Sequence, residues 1–96
     1  MRTMIRVKIP TEAGNRAIKD GSLPKVIQKT LTSVNAEAAY FTAMDGHRTM
    51  IAVFDLKAAS DIPRIAEPLF MALSASVEFM PCMNADDLKT GLSKIK

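Results

Sequence analysis

The order of strand-like and helical segments predicts an α+β domain whose helices cover one face of an antiparallel sheet. Three observations carry this prediction. Residues Thr3 to Ile9 alternate in polarity, Asp45-Gly46 joins two apolar runs, and two other stretches repeat apolar residues at helical spacing. The 96 residues predict a single domain, residues 1–96. Its core would bury only about 60–65% of the unfolded surface, so association could reinforce it.

The first segments are predicted to be a strand and an interrupted helix. Thr3, Ile5, Val7 and Ile9 share one face of the strand. Thr11 is a candidate N-cap, and apolar residues recur at helical spacing from Leu23 to Val34. Gly21 is expected to break this helix. Ser22 is then expected to cap a second segment that tolerates Pro24 in its first turn.

The stretch PTEAGNRAIKDGS follows the first strand, where a nucleotide-binding protein would carry its phosphate loop. Such a loop needs the pattern G-x-x-x-x-G-K-[ST], since its glycine backbone wraps the phosphates and its lysine reaches them. Here six residues separate Gly14 from Gly21, and Ser22-Leu23 stands in place of the lysine and hydroxyl residue. The stretch therefore predicts no nucleotide site.

The middle of the chain predicts a β-hairpin. Two apolar runs, Glu37 to Met44 and Arg48 to Leu56, flank Asp45-Gly46. This dipeptide suits a two-residue type I′ turn, because glycine tolerates a positive φ. A two-residue turn also sets the register of the two strands and places Tyr40 opposite Ile51.

A helix, a strand and a short final helix complete the chain. Ser60 is a candidate cap for a helix over Ile62 to Leu73, and Val77 to Met83 is the fourth strand. Asn84 opens a short helix with an acidic first turn. The resulting order, β-α-β-β-α-β with a short C-terminal helix, predicts a ferredoxin-like sandwich with one open sheet face.

Composition and charge argue against several functional classes. The chain is 48% hydrophobic and 24% charged, and no apolar run reaches the ~18 residues of a membrane span, so we expect a soluble cytoplasmic domain without a membrane partner. One cysteine, Cys82, and one histidine, His47, predict neither a metal site nor a cofactor. The net charge of +3 is scattered, and the first strand lacks the aromatic residues of an RNA-recognition motif, which argues against a nucleic-acid partner.

The sheet face opposite the helices is the candidate site. Its predicted polar residues are Arg6, Lys8, Tyr40, Thr42, Thr49, Asp55 and Glu78, and its predicted apolar residues are Met4, Ile51, Val53 and Met80. This surface suits a homodimer interface with paired polar groups. It equally suits a pocket for a small-molecule ligand, and the two are compatible. The predicted ligand-binding residues are Arg6, Lys8, Tyr40, Thr42, Thr49 and Glu78.

Several short motifs, PTEAGN, AEAAYFT with DGHRT, FDL and IPRIAEP, resemble a family of uncharacterised small bacterial proteins over most of the chain. The layout also resembles the dimeric α+β barrel group, in which two ferredoxin-like subunits face their sheets together. The half-apolar, half-polar open face and the absence of a catalytic motif favour a homodimeric small-molecule-binding or accessory domain. The alternative is a cofactor-independent isomerase-like or monooxygenase-like enzyme with Arg6 as an anion anchor and Tyr40, Glu78 or His47 in proton transfer.

Overall fold

Four strands and four helices make up the fold in a computed structural model that describes residues 1–96. The strands are β1 (Arg2–Ile9), β2 (Ala38–Met44), β3 (His47–Asp55) and β4 (Ser76–Pro81). The helices are α1 (Thr11–Lys19), α2 (Ser22–Val34), α3 (Ile62–Leu73) and α4 (Ala85–Ser93). All paired strands are antiparallel, in the order β2-β3-β1-β4. This is the ferredoxin-like or ACT-like arrangement, so the predicted fold class is confirmed.

The hydrophobic core lies between the sheet and the helices. Its strand residues include Ile5, Val7, Ile9, Met50, Ala52 and Phe54, which alternate with half-buried residues on the open face. From α3, Leu69 and Leu73 are fully buried. Phe54 contacts Phe79 edge to face at a ring-centroid distance of 6.4 Å. The helix-facing sides predicted for β1 and β3 are therefore correct.

The hairpin between β2 and β3 has the predicted geometry. Met44 pairs with His47 across a two-residue loop, in which Asp45 has φ 54° and Gly46 has φ 76°. Both values are positive, as a type I′ turn requires. The predicted register follows, with Tyr40 opposite Ile51.

The three predicted N-caps, Thr11, Ser22 and Ser60, are wrong. Thr11 and Ser22 are each the first residue of a helix, and Ser60 lies in a 3₁₀ turn before α3. The predicted break is correct, because Gly21 with φ 80° separates α1 from α2. At that break the Asp20 carboxylate accepts a hydrogen bond from the Ser22 backbone N–H at 2.8 Å. The shift of each helix start by one residue changes which side chain faces the free N–H groups.

The C-terminal segment departs from the body of the domain. β4 ends at Pro81, two residues before the predicted end, although the Cys82 N–H still donates a hydrogen bond to the Arg2 carbonyl oxygen at 3.1 Å. Asn84 and Asp87 form a capping box at the start of α4, as the acidic first turn indicated. All residues of α4 are exposed, including Leu88 and Leu92. No helix of the chain is long and apolar enough to cross a membrane.

Candidate functional site

The strand register collects the six predicted ligand-binding residues in two adjacent rows on the open face. The first row is Tyr40, Ile51, Arg6 and Glu78, running from β2 to β4. The second row is Thr42, Thr49, Lys8 and Ser76. Thr49 is only 3% exposed and its hydroxyl donates a hydrogen bond to the His47 carbonyl oxygen, so its surface is largely closed. The role of all six residues in binding stays a prediction.

Both cations of these rows are already paired with carboxylates. Arg6 Nε donates to Glu78 Oε1 at 3.0 Å, and Lys8 Nζ lies 3.2 Å from Asp45 Oδ2. The Arg6 and Glu78 side chains are 33% and 51% exposed, so water screens the pair and its contribution to stability is small. The charge of both cations is therefore already compensated, and an anion arriving at this face would compete with these carboxylates.

The groups proposed for proton transfer do not form one cluster. Tyr40 and Glu78 end the same row on opposite edge strands, which puts their Cα atoms three strand spacings, about 14 Å, apart. His47 lies at the hairpin, where its Nδ1 is 2.9 Å from the Asp45 carbonyl oxygen. No three His, Cys, Asp or Glu side chains are grouped so as to hold a metal ion. The open face thus lacks an assembled acid–base pair.

A row of apolar side chains borders the polar rows. Val53 pairs with Met4, which pairs with Met80 across three neighbouring strands. All three are half-buried. Next to this row, the Met1 amino group and then Lys57 donate hydrogen bonds to Asp55, which lowers the pKa of that carboxyl from 3.8 to about 2.

A second concave site lies on the helix side of the sheet, between the edge strand β2 and α2. This cleft has a volume of about 460 Å³. Its residues are Ile9, Leu23, Ile27, Phe41, Thr42, Ala43, Arg48, Thr49 and Met50, and we call it the Arg48 cleft. Phe41 was predicted to pack against the helices but is 60% exposed, because it stands on the edge strand beside the open cleft. The walls are therefore apolar, with one charged side chain.

Arg48 is held over the start of α1 by neutral acceptors. Its Nη2 donates to Asn15 Oδ1 at 3.0 Å, and its Nη1 donates to the Thr11 carbonyl oxygen at 3.4 Å. It forms no ion pair, in contrast to Arg2, Arg6 and Lys8 on β1. Two of the five guanidinium N–H donors are used, so further donors remain for an acceptor in the cleft.

Gly14 makes room for this arginine. A Cβ atom on Gly14 would lie 2.5 Å from Arg48 Nη1, too close for the present guanidinium position. Glycine is otherwise a poor choice inside a helix, where it costs about 1 kcal/mol relative to alanine. The close approach of Arg48 gives a physical reason for this residue at this position.

Sequence reasoning missed the Arg48 cleft, although one signal was present. Strand alternation places Arg48 on the same face as Met50, which was assigned to the helix side. An arginine on the helix-facing side needs polar partners or a cavity. The cleft exists because α2 leaves the edge strand β2 uncovered. This depends on where α2 lies over the sheet, and the spacing of Leu23 and Ile27 in the sequence does not predict that position.

The comparisons with known proteins support the fold. No protein-family model matches the sequence, and no curated protein matches it. A formyltetrahydrofolate deformylase from Pseudomonas putida is structurally similar, with a TM-score of 0.56 and 13% sequence identity. The match covers 85% of this chain and 29% of the deformylase chain. At this identity the likeness shows a shared fold, and the resemblance to a bacterial family stays a prediction.

Proposed function

We propose that this chain is a homodimeric domain that binds a small molecule in the Arg48 cleft and associates through its open sheet face. The observation that carries the binding role is the cleft itself. Its volume of about 460 Å³ is within the range of small-molecule sites, which is about 300–1,000 Å³. Its lining also has the usual composition of such sites, mostly apolar with one charged group to orient a ligand.

The structural neighbour fits an accessory or regulatory role. The deformylase contains this fold as 29% of its length, so there the fold is one part of a larger enzyme. If this chain is a ligand-binding domain of the ACT-like type, it would respond to a metabolite rather than transform it. The dispersed positions of Tyr40, Glu78 and His47 favour this role over the isomerase-like or monooxygenase-like alternative. The proposal keeps the cytoplasmic location predicted from composition.

A metabolite screen tests the binding role. Purified protein is screened by thermal shift, and each hit is confirmed by two-dimensional NMR of the labelled protein. We expect a hit that perturbs the amides of Phe41 and Arg48. Turnover of a hit, followed by mass spectrometry and lost on Glu78→Gln with the fold intact, would instead support the enzyme alternative. A screen without any saturable binding would contradict the proposed function.

Homodimerisation follows from the apolar side chains that the monomer leaves uncovered. Met4, Val53 and Met80 form a continuous half-buried row on the open face. Leu88 and Leu92 of α4 are 48% and 57% exposed. In a facing pair, the polar contacts between the sheets would come from Arg6, Lys8, Tyr40, Thr42 and Glu78, because Thr49 is buried.

The area of the open face indicates that α4 takes part. Four strands about 4.8 Å apart and about 23 Å long present roughly 400 Å² in projection. A stable dimer buries about 600–1,000 Å² on each subunit. The sheet face alone falls short of the lower limit, and α4 is tied to β1 beside this face by the ion pair between Arg2 and Asp87. We therefore place both surfaces in the interface.

Replacing Val53 by arginine tests this placement. The variant puts a bulky charge at one end of the apolar row, on the inner strand β3, so we expect a folded monomer by light scattering at tens of micromolar, where we expect the wild type to be a dimer. Met71→Arg is the matched control, because Met71 is 78% exposed on α3, on the helix side. A monomeric wild type, or a dimer that persists in Val53→Arg, would show that the interface lies elsewhere.

A further inference from the structure

We infer that the ligand of the Arg48 cleft is an apolar monocarboxylic acid, whose carboxylate binds Arg48 and whose hydrocarbon part lies among the apolar residues. This inference rests on the proposed function and specifies its ligand. It begins from the charge of the cleft. Arg48 is the single charged residue among the nine that line it, and no acidic side chain is among them.

The surroundings of Arg48 favour an anion as its additional partner. Its two hydrogen-bond acceptors, the Asn15 amide oxygen and the Thr11 carbonyl oxygen, are both uncharged. Every other arginine on the sheet strands has a carboxylate partner: Glu37 and Asp87 for Arg2, and Glu78 for Arg6. A half-buried cation without a counter-ion gains more from an incoming carboxylate than one that already has a carboxylate partner.

The size of the charge favours a carboxylate over a phosphate. One guanidinium compensates one negative charge, and its planar fork matches the two oxygens of a carboxylate. A phosphate monoester carries up to two charges near pH 7, so part of its charge would stay uncompensated beside the apolar wall.

The residues that line the cleft also make an amino acid an unfavourable ligand. The α-ammonium group of an amino acid needs acceptors, and it is best matched by a carboxylate. The cleft offers no Asp or Glu side chain. An ammonium placed beside Arg48 would also meet a like charge, which costs further free energy.

The apolar wall supplies the remainder of the recognition. Leu23 and Ile27 are one helical turn apart on α2. They line the cleft together with Ile9, Phe41 and Met50 of the sheet. Phe41 is 60% exposed, so a hydrocarbon chain laid against it would remove apolar surface from water. A straight or aromatic hydrocarbon fits this wall because it has no hydrogen-bonding groups that the apolar side chains would leave without a partner.

A matched ligand series tests the inference on the 96-residue chain. Octanoate, 1-octanol, octylamine, 2-aminooctanoate and octyl phosphate each contain one unbranched chain of eight carbon atoms and differ in the polar groups at its end. Binding is measured by NMR titration and by calorimetry. We expect octanoate to bind most tightly and to shift the amides of Phe41, Ala43 and Arg48.

Arginine variants identify the anchoring group. Hydrogen bonds to charged groups contribute enough that Arg48→Met should weaken octanoate binding about 10- to 100-fold and leave 1-octanol binding nearly unchanged. Gly14→Ala displaces the guanidinium without removing it, so it should weaken octanoate too and serves if Arg48→Met does not fold. The matched control is Arg16→Met, because Arg16 is exposed on α1 and lies outside the cleft lining.

The remaining outcomes separate this inference from the proposed function. Equal affinity of the wild type for octanoate and 1-octanol would overturn the carboxylate assignment. Tighter binding of octyl phosphate or 2-aminooctanoate would do so as well, and all three results leave a small-molecule-binding domain. Octanoate binding that is lost in Arg6→Met and kept in Arg48→Met would move the ligand to the open face. Absence of binding for this series and for the metabolite screen would contradict both.

Discussion

Replacing Gly14 by alanine measures how closely Arg48 is packed over α1. The added Cβ would lie 2.5 Å from Arg48 Nη1 and 3.3 Å from Ile9 Cγ2. The first of these atoms ends a flexible side chain, so we expect the guanidinium to move and the backbone to stay. Alanine gains about 1 kcal/mol over glycine inside a helix. The displaced guanidinium loses its bond to Asn15 and a weak one to Thr11, together about 1 kcal/mol.

When Gly14→Ala is made in the wild type, the gain from alanine in the helix and the loss of the Arg48 hydrogen bonds nearly cancel. In an Arg48→Met background only the gain remains. Gly14→Ala alone should stay within about 1 kcal/mol of the wild type, which is about 4–8 °C in Tm for a domain of this size. With Arg48 removed, the same change should stabilise the protein by up to about 1 kcal/mol, less the cost of the Ile9 contact. Urea unfolding of the four proteins, followed by circular dichroism, gives the coupling free energy. A destabilisation of about 2 kcal/mol in both backgrounds would refute the reasoning, because the strain would then come from Ile9 or the backbone.

Two further predictions concern the core and the junction of α1 and α2. Leu69 is fully buried, so Leu69→Ala should lower the free energy of unfolding by about 2–5 kcal/mol, and a loss below about 1 kcal/mol in urea unfolding would contradict its central position. Hydrogen bonds from the Ser22 side chain and backbone N–H lower the pKa of Asp20 below its ordinary value of 3.8. The Asp20 charge therefore stabilises the fold above that value, and this contribution is lost as the pH falls through the lower, folded-state pKa. Asp20→Asn should be less stable than the wild type at pH 7, and the difference in the free energy of unfolding should shrink as the pH falls below 3.8. A difference that does not change with pH would contradict the charge effect.

The fold was predictable because independent local signals agree. Alternation in β1 identified its buried face, and the Asp45-Gly46 turn fixed the register of the hairpin. The cap predictions failed for a different reason. A cap depends on the helix start to within one residue, and Thr11 and Ser22 are both displaced by one position. Spacing patterns do not resolve a boundary that finely.

The candidate site was predictable only in part. Register and alternation suffice to place residues on the open face, and Arg6 beside Glu78 follows directly from them. The Arg48 cleft also needs the position of α2 over the sheet. That position is set by packing of side chains distant in sequence, such as Ile27 against the buried core that includes Met50, and local periodicity does not contain it.

The ion pairs of the sheet determine which of its cations are free to bind an anionic partner. A polyanion such as nucleic acid binds a continuous set of free cations along one surface. On β1, Arg2, Arg6 and Lys8 lie in sequence order along the open face, but each is paired with a carboxylate of the same chain. Arg48 is on the opposite face, where its hydrogen-bond acceptors are neutral and its neighbours are apolar. Among the arginines of the sheet, the one without a carboxylate partner lies beside an apolar wall, and this position suits the proposed ligand, a single carboxylate with a hydrocarbon body, better than a phosphate backbone.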